Sequence, residues 1–136
     1  MRLSPVQVEA DLRQRLQALY AELSAATAGE CAAACTRPQS CCASLYCGIA
    51  IDFARSHWDV ELVPTWHRSL PLMGPDGCTA APHLRPLCTA HTCAISDFGC
   101  KQGDAGWTAR YFTLVDAIAA LEVELFGADG NSTILR

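Results

Sequence analysis

Apolar side chains recur every three to four residues in three parts of the chain, which is the spacing of an amphipathic helix. In the first part the recurring positions are Val8, Leu12, Leu16, Leu19 and Leu23. Ser4 can cap this helix, Pro5 suits its first position, and Gln7 completes a capping box. Because Gly29 can end it, the pattern predicts an N-terminal helix over residues 4–28.

A second stripe predicts a middle helix from Cys42 to about His57. Its repeating apolar positions are Leu45, Ile49 and Phe53, with Tyr46 beside them. The connection that follows contains three prolines, so residues 58–76 are predicted to be irregular. Residues 77–100 hold two more prolines and few long apolar side chains, and we expect a loop that a metal holds in place.

The third stripe predicts a C-terminal helix over residues 107–126, closed by Gly127. Its broad apolar face is formed by Tyr111, Leu114, Val115, Ile118, Leu121, Val123 and Leu125. The first and last helices each need a partner for an apolar face, and the simplest arrangement packs them on each other and on the middle helix. We therefore expect a mainly α fold, a small helical bundle with cysteine-rich metal-binding loops at one end.

Bulk composition narrows the classes of protein. A chain of 136 residues fits a single domain, and a 51% apolar content can form a core without disulfides. The net charge of −4 argues against a nucleic-acid partner, and no run reaches the ~20 apolar residues of a membrane span. The first residues lack the apolar region of a secretory signal, so we expect a cytoplasmic protein.

Nine cysteines in this chain need a chemical explanation. They form two blocks: Cys31, Cys35, Cys41, Cys42 and Cys47, then Cys78, Cys88, Cys93 and Cys100. Stable disulfides are disfavoured in the cytoplasm, where clustered thiols usually bind metal or carry redox chemistry. Thiolates are soft, negatively charged ligands that suit Zn²⁺ and iron–sulfur clusters, and either group usually takes four of them.

All the cysteines except Cys47 are candidate metal ligands, within a metal-binding region over residues 29–101. Cys47 follows Leu45 on the middle helix and is the first candidate for a plain packing residue. His83 and His91 are candidate zinc ligands, although a histidine near cysteines more often supports the site or faces solvent. Adjacent side chains diverge, so Cys41 and Cys42 seldom serve one site equally.

Two ligand sets fit the spacing. In one, Cys100 completes a site built on Cys78, Cys88 and Cys93 within the second block. In the other, Cys31 and Cys42 from the first block join Cys88 and Cys93 from the second, which would tie the two loops together. Spacing alone does not separate these sets.

The cysteine pattern resembles that of the YkgJ-type cysteine-cluster proteins, whose domains are described as zinc- or iron-chelating. The resemblance covers about residues 29–101. It rests on Cys31-x3-Cys35 with Cys41-Cys42, on Gly77-Cys78, and on His83-Leu84-Arg85-Pro86-Leu87-Cys88-x4-Cys93. It implies cysteine ligation without choosing zinc or iron. This chain departs from the family in the long gap between Cys35 and Cys41 and in the extra Cys47 and Cys100.

Three functions follow as hypotheses. The first is a protein that holds a 4Fe-4S cluster for electron transfer, cluster handling or metal storage, which the number of thiols favours over Zn²⁺. The second is a structural zinc module that presents a surface to a protein partner. The third is an enzyme with an open iron site on its cluster. No triad, phosphate loop or carboxylate pair indicates another chemistry.

Overall fold

A computed structural model describes residues 4–34, 44–65, 70–74, 77–90, 101 and 103–127. Its elements, in chain order, are α1 (Pro5–Ala34), α2 (Ser44–Trp58), β1 (Met73–Gly74), β2 (Gly77–Cys78), a 3-10 helix (Pro82–Leu84), α3 (Pro86–Ala90) and α4 (Ala105–Phe126). The expected mainly α fold is confirmed. The predicted features of residues 35–43, 66–69, 91–100 and 128–136 lie outside the described residues.

α1 begins as the sequence predicts and ends later. The Gln7 backbone N–H donates to the Ser4 hydroxyl over 3.2 Å, and the Ser4 N–H donates to the Gln7 side chain over 2.9 Å. The predicted end near Gly29 is wrong, because the helix continues to Ala34. One glycine costs a helix only about 1 kcal/mol, and the surrounding alanines are the best helix formers. Cys31 therefore lies on a helix rather than on a loop.

α4 matches its predicted bounds within two residues. Its N-terminus is capped by Asp104, whose carboxylate accepts from the Trp107 N–H over 2.9 Å. Its C-terminus is closed by Gly127, with a φ of 89° and an N–H that donates to the Val123 carbonyl. Glycine enters this left-handed region at little cost, which explains why the helix stops there.

α1 and α4 pack on each other, as their apolar faces predict, and form the main core. The buried members of this core are Leu16, Tyr20, Leu23, Tyr111, Leu114, Val115, Ile118 and Leu121. The two helices run antiparallel, because Ala26 of α1 meets Trp107 at the start of α4. At the other end, residues of the first two turns of α1 line a shallow groove with Glu124 and Leu125.

Arg13 joins α2 to this pair. Its guanidinium lies 4.9 Å from the Trp58 ring centroid and 5.5 Å from that of Phe126. It also donates to the His57 carbonyl over 2.9 Å, near the C-terminus of α2 where helices favour a cation. The imidazole of His57 stacks on Phe53 and meets the edge of Phe126. The C-terminal end of α2 is thus fixed beside the C-terminal end of α4.

The part of residues 77–100 that the structure describes has short regular elements where the sequence predicts a loop. β1 and β2 form an antiparallel hairpin in which Met73 pairs with Cys78. Pro82 and Pro86 then open the 3-10 helix and α3, because proline suits the first position of a helix. Residues 77–90 therefore have regular structure of their own.

A second, smaller core joins this segment to α2. It consists of Ala50, Leu72 and Ala80, with Cys47 packed against it. The predicted α2 stripe is only partly buried: Phe53 is 6% exposed, but Leu45 is 68% and Ile49 37% exposed. Within the described residues, the helices are all too short or too polar to cross a membrane.

Removing a core side chain from the α1–α4 interface should destabilise the protein strongly. Leu16 is fully buried, so Leu16→Ala should lower the free energy of unfolding by about 2–5 kcal/mol. Val6→Ala is the matched control on the same helix, because that side chain is 76% exposed and should change stability by less than about 0.5 kcal/mol. Urea denaturation followed by circular dichroism measures both, and similar losses would contradict the described core.

Tyr20 places a titratable group inside the main core. Its hydroxyl makes no hydrogen bond of good geometry within the described residues, and the buried Glu122 carboxylate lies beside it. Burial raises the pKa of Tyr20 well above its usual value, and the charge of Glu122 raises it further. The folded protein therefore keeps the Tyr20 proton at a pH where the unfolded chain releases it.

Stability should consequently fall as the pH rises above about 10, the ordinary pKa of tyrosine. In that range the folded state binds more protons than the unfolded state, so the free energy of unfolding decreases with pH. Tyr20→Phe removes this group, and its stability should decline less steeply. Urea midpoints on both sides of pH ~10 test this. Tyr46→Phe changes an exposed hydroxyl and is the control, and equal slopes for wild type and Tyr20→Phe would contradict the prediction.

Candidate metal centre

The structure describes three cysteine side chains: two of the candidate ligands, Cys78 and Cys88, and the predicted packing residue Cys47. Cys78 is exposed on β2, Cys88 is half-buried on α3, and Cys47 is half-buried on α2. The backbone of Cys31 lies in the last turns of α1. The other candidate ligands, Cys35, Cys41, Cys42, Cys93 and Cys100, lie outside the described residues. The side chains that the structure does describe include no group of three or more metal ligands.

α3, which carries Cys88, is attached to α1 through a buried hydrogen bond. The Thr27 hydroxyl donates to the Thr89 carbonyl over 2.7 Å, and both side chains are at most 3% exposed. The hydroxyl has a single proton, and its contacts with carbonyls of its own helix are longer, at 3.1 and 3.5 Å. The bond from α1 to α3 is therefore the preferred one, and it lies one residue from Cys88.

α4 holds the next carbonyl of the same short helix. The Tyr111 hydroxyl donates to the Ala90 carbonyl over 3.0 Å. Tyr111 in turn stacks on Trp107, whose ring N–H donates to the Ala26 carbonyl of α1 over 3.2 Å. The last carbonyls of a helix have no partner within the helix. Here the two at the end of α3 are satisfied by one side chain from α1 and one from α4.

Arg85 fixes the entrance to α3. Its Nε donates to the Ala80 carbonyl over 3.0 Å, and its guanidinium also donates to the Thr89 hydroxyl over 3.3 Å. That hydroxyl donates to the Pro82 carbonyl over 2.8 Å, which closes the 3-10 helix onto α3. The arginine therefore places a positive charge within the segment that carries Cys88. A cation near a thiolate-rich site would offset its negative charge.

The two residues that border the segment 91–100 are both held to α4. The segment 91–100 joins Ala90, held by Tyr111, to Lys101, whose N–H donates to the Thr108 hydroxyl of α4 over 2.9 Å. The segment 35–43 leaves α1 two turns beyond Thr27. The last part of α1, which precedes the segment 35–43, and Lys101, which follows the segment 91–100, therefore lie toward the same end of the α1–α4 pair.

His83, a predicted candidate ligand, takes part in packing. Its ring meets the Trp58 ring edge-on, with centroids 4.6 Å apart. Burial lowers the pKa of His83, which favours the neutral imidazole. Neutral imidazole is the form that binds metals, but this ring contacts α2 through Trp58. The structure thus gives His83 a packing contact, while His91 lies outside the described residues.

Sequence reasoning missed the two threonines and the tyrosine that hold α3. Thr27 continues the positions Leu16, Tyr20 and Leu23 at helical spacing, so it is a polar residue on a buried face. A buried hydroxyl needs a hydrogen-bond partner, which is the signal that could have identified it. Its partner on α3 could not have been deduced, because the predicted loop contained no helix.

Comparison of the chain with protein-family models, with curated proteins and with solved structures found no match. The resemblance to the YkgJ-type proteins therefore stays a prediction from the cysteine pattern.

The Thr27–Thr89 bond should control how firmly Cys88 is held. Thr27→Val keeps the shape of the side chain and removes the donor, leaving a buried carbonyl unsatisfied at a cost of about 1–3 kcal/mol. In metal-free protein, Cys88 should then be alkylated faster, by roughly 5- to 30-fold if the loss of stability is about 1–2 kcal/mol. Peptide mass spectrometry measures the rate. Thr113→Val changes an exposed threonine on α4 and is the control. An unchanged Cys88 rate in Thr27→Val would contradict this role.

Proposed function

We propose that this chain is a cysteine-ligated metal-binding protein that holds a 4Fe-4S cluster for electron transfer, cluster handling or metal storage. The observation that carries the proposal is that the last part of α1, the end of α3 and the start of α4, which border the cysteine-rich segments along the chain, are joined to one another by hydrogen bonds. The chain contains eight candidate thiolates, and a 4Fe-4S cluster needs four.

The chemistry of the donor set supports the same proposal. Soft sulfur ligands select iron–sulfur clusters and zinc over hard cations such as Mg²⁺. A site of four thiolates around a 4Fe-4S core keeps a net negative charge, and the half-buried Arg85 lies three residues before Cys88. A bound cluster would supply one-electron chemistry. The residues described around α3 would hold Cys88 in place and supply compensating charge.

Cys47 lies in a different environment from Cys88, as expected if Cys47 is a packing residue and Cys88 a ligand. It lies against the small core of Ala50, Leu72 and Ala80, on the side of α2 that faces the hairpin segment. A thiol in such a contact behaves as a small apolar side chain. This gives the chain an internal control, because Cys47 and Cys88 are both half-buried cysteines on helices.

A second candidate function is a structural zinc module that presents a surface to a partner protein. The observation that favours it is an exposed apolar patch near the start of α2, which consists of the side chains of Leu45, Tyr46 and Ile49. Exposed apolar groups of this kind are typical of surfaces that contact other proteins. The colour and metal content of the purified protein distinguish this candidate from the first.

Anaerobic purification followed by absorption spectroscopy and elemental analysis tests the proposal. We expect a brown protein with about four irons per chain. Cys88→Ser should lose most of the metal, as should Cys93→Ser, whereas Cys47→Ser should keep the wild-type content because its thiol packs in a core. A colourless protein with zinc would favour the structural module, and a protein without metal would refute the proposed function. Equal metal losses in all three variants would refute the ranking of the ligands.

A further inference from the structure

We infer that the outer face of α2 is a docking site for an amphipathic helix of a partner protein, and that this helix carries a basic side chain beside its apolar stripe. The outer face consists of Leu45, Gly48, Ile49 and Asp52. This docking site goes beyond the proposed metal binding and does not depend on which metal the chain holds.

The outer face of α2 is apolar although it lies away from the core of the protein. Its members are spaced three or four residues apart, so they share one side of the helix. Leu45 and Ile49 are exposed there, whereas Ala50 and Ala54 on the opposite side are buried. α2 is therefore apolar on two sides, and the described residues cover only one of them. Grouped apolar side chains in solvent are typical of surfaces that another protein covers.

Gly48 indicates that the partner is a helix. A Cβ at this position would meet no described atom within 4 Å, and Gly48 does not have the positive φ that favours glycine. Alanine would therefore fit in its place and would stabilise the helix, so packing among the described residues does not require a glycine here. The distance between two packed helices depends on the side chains at their contact, and glycine lets the second backbone approach closely.

Asp52 gives the outer face a negative charge one turn beyond Ile49. Arg55 follows Asp52 by three residues, but its guanidinium is held by the Glu61 carboxylate through hydrogen bonds of 2.8 and 3.1 Å. The ion pairs among the described residues do not include Asp52. Charges across an interface are arranged to be complementary, so a lysine or arginine on the partner helix would suit this carboxylate.

A second copy of α2 fits this face less well than a helix of a different protein. Copies related by a two-fold axis present the same face to each other. In a parallel pair, the two Asp52 carboxylates would lie side by side and repel each other. In an antiparallel pair that overlaps along the whole face, Asp52 would lie against the apolar Leu45 of the other copy. The charge on this face therefore favours a partner of opposite charge.

Selection from a displayed library of helical peptides tests the docking site on the intact protein. Each peptide is a helix of about five turns (~18 residues) with one randomised face. The peptides enriched on wild type should carry apolar side chains three and four positions apart, with a lysine or arginine one turn further along. Fluorescence anisotropy of labelled peptides then measures their affinity for wild type and for variants in solution.

Substitutions in the outer face should separate binding from stability. Gly48→Leu should lower the affinity of the selected peptides at least ~10-fold, because its side chain fills the space that the partner helix needs. Gly48→Ala should raise the thermal midpoint by up to about 5 °C. Asp52→Lys should lower the affinity about 2- to 5-fold, and a peptide with glutamate in place of its basic residue should recover the loss. Val6→Ser changes an exposed apolar side chain on α1 and is the matched control, with unchanged affinity.

Three results would overturn the inference. If no enriched peptide binds Gly48→Leu more weakly than wild type, the outer face of α2 is not the site. If the enriched peptides carry acidic rather than basic side chains, the class of partner is wrong. If wild type self-associates in sedimentation velocity while Gly48→Leu is a monomer, the occupant is a second copy. Circular dichroism checks that Gly48→Leu is folded, and Leu45→Ser replaces it if its helical signal is lost.

Discussion

The antiparallel packing of α1 on α4 is the constraint on which the rest of the structure depends. Leu16 and Leu23 on one helix and Ile118 on the other are buried in this interface, where each apolar side chain contributes roughly 1.5–3 kcal/mol. The pairing also fixes which chain ends are neighbours. Because the C-terminal half of α1 meets the start of α4, the end of α1 that precedes the segment 35–43 lies at the same end of the pair as the start of α4.

α3 depends on that pairing because five residues cannot form a stable helix alone. Its final carbonyls have no hydrogen-bond partner within the helix, and the hydroxyls of Thr27 and Tyr111 on the two long helices donate to them. If either long helix shifted, a buried carbonyl would lose its partner at a cost of about 1–3 kcal/mol. The position of Cys88 is therefore determined by the same interface that forms the core.

The sequence predicted the parts of the fold that local chemistry decides. The capping box at Ser4 and the glycine at the end of α4 were readable because each acts within a few residues. The end of α1 was not predicted, because the summed helix propensity of several alanines outweighs the cost of the single Gly29. α3 and its contacts were not predicted for a different reason. Thr27 and its partner Thr89 are 62 residues apart, and no local pattern encodes such a bond.

The candidate site also has a part that local sequence predicts and a part that depends on long-range contacts. The candidate ligands followed from the cysteine pattern, but the position of Cys88 depends on α3, which the sequence did not predict. The hydrogen bonds around Thr89 hold one proposed ligand before any metal binds. A ligand already in position loses less conformational entropy on binding, so these hydrogen bonds would favour metal binding at Cys88. Metal removal would leave the core of the α1–α4 pair in place, because its described members are held by apolar contacts and include no cysteine.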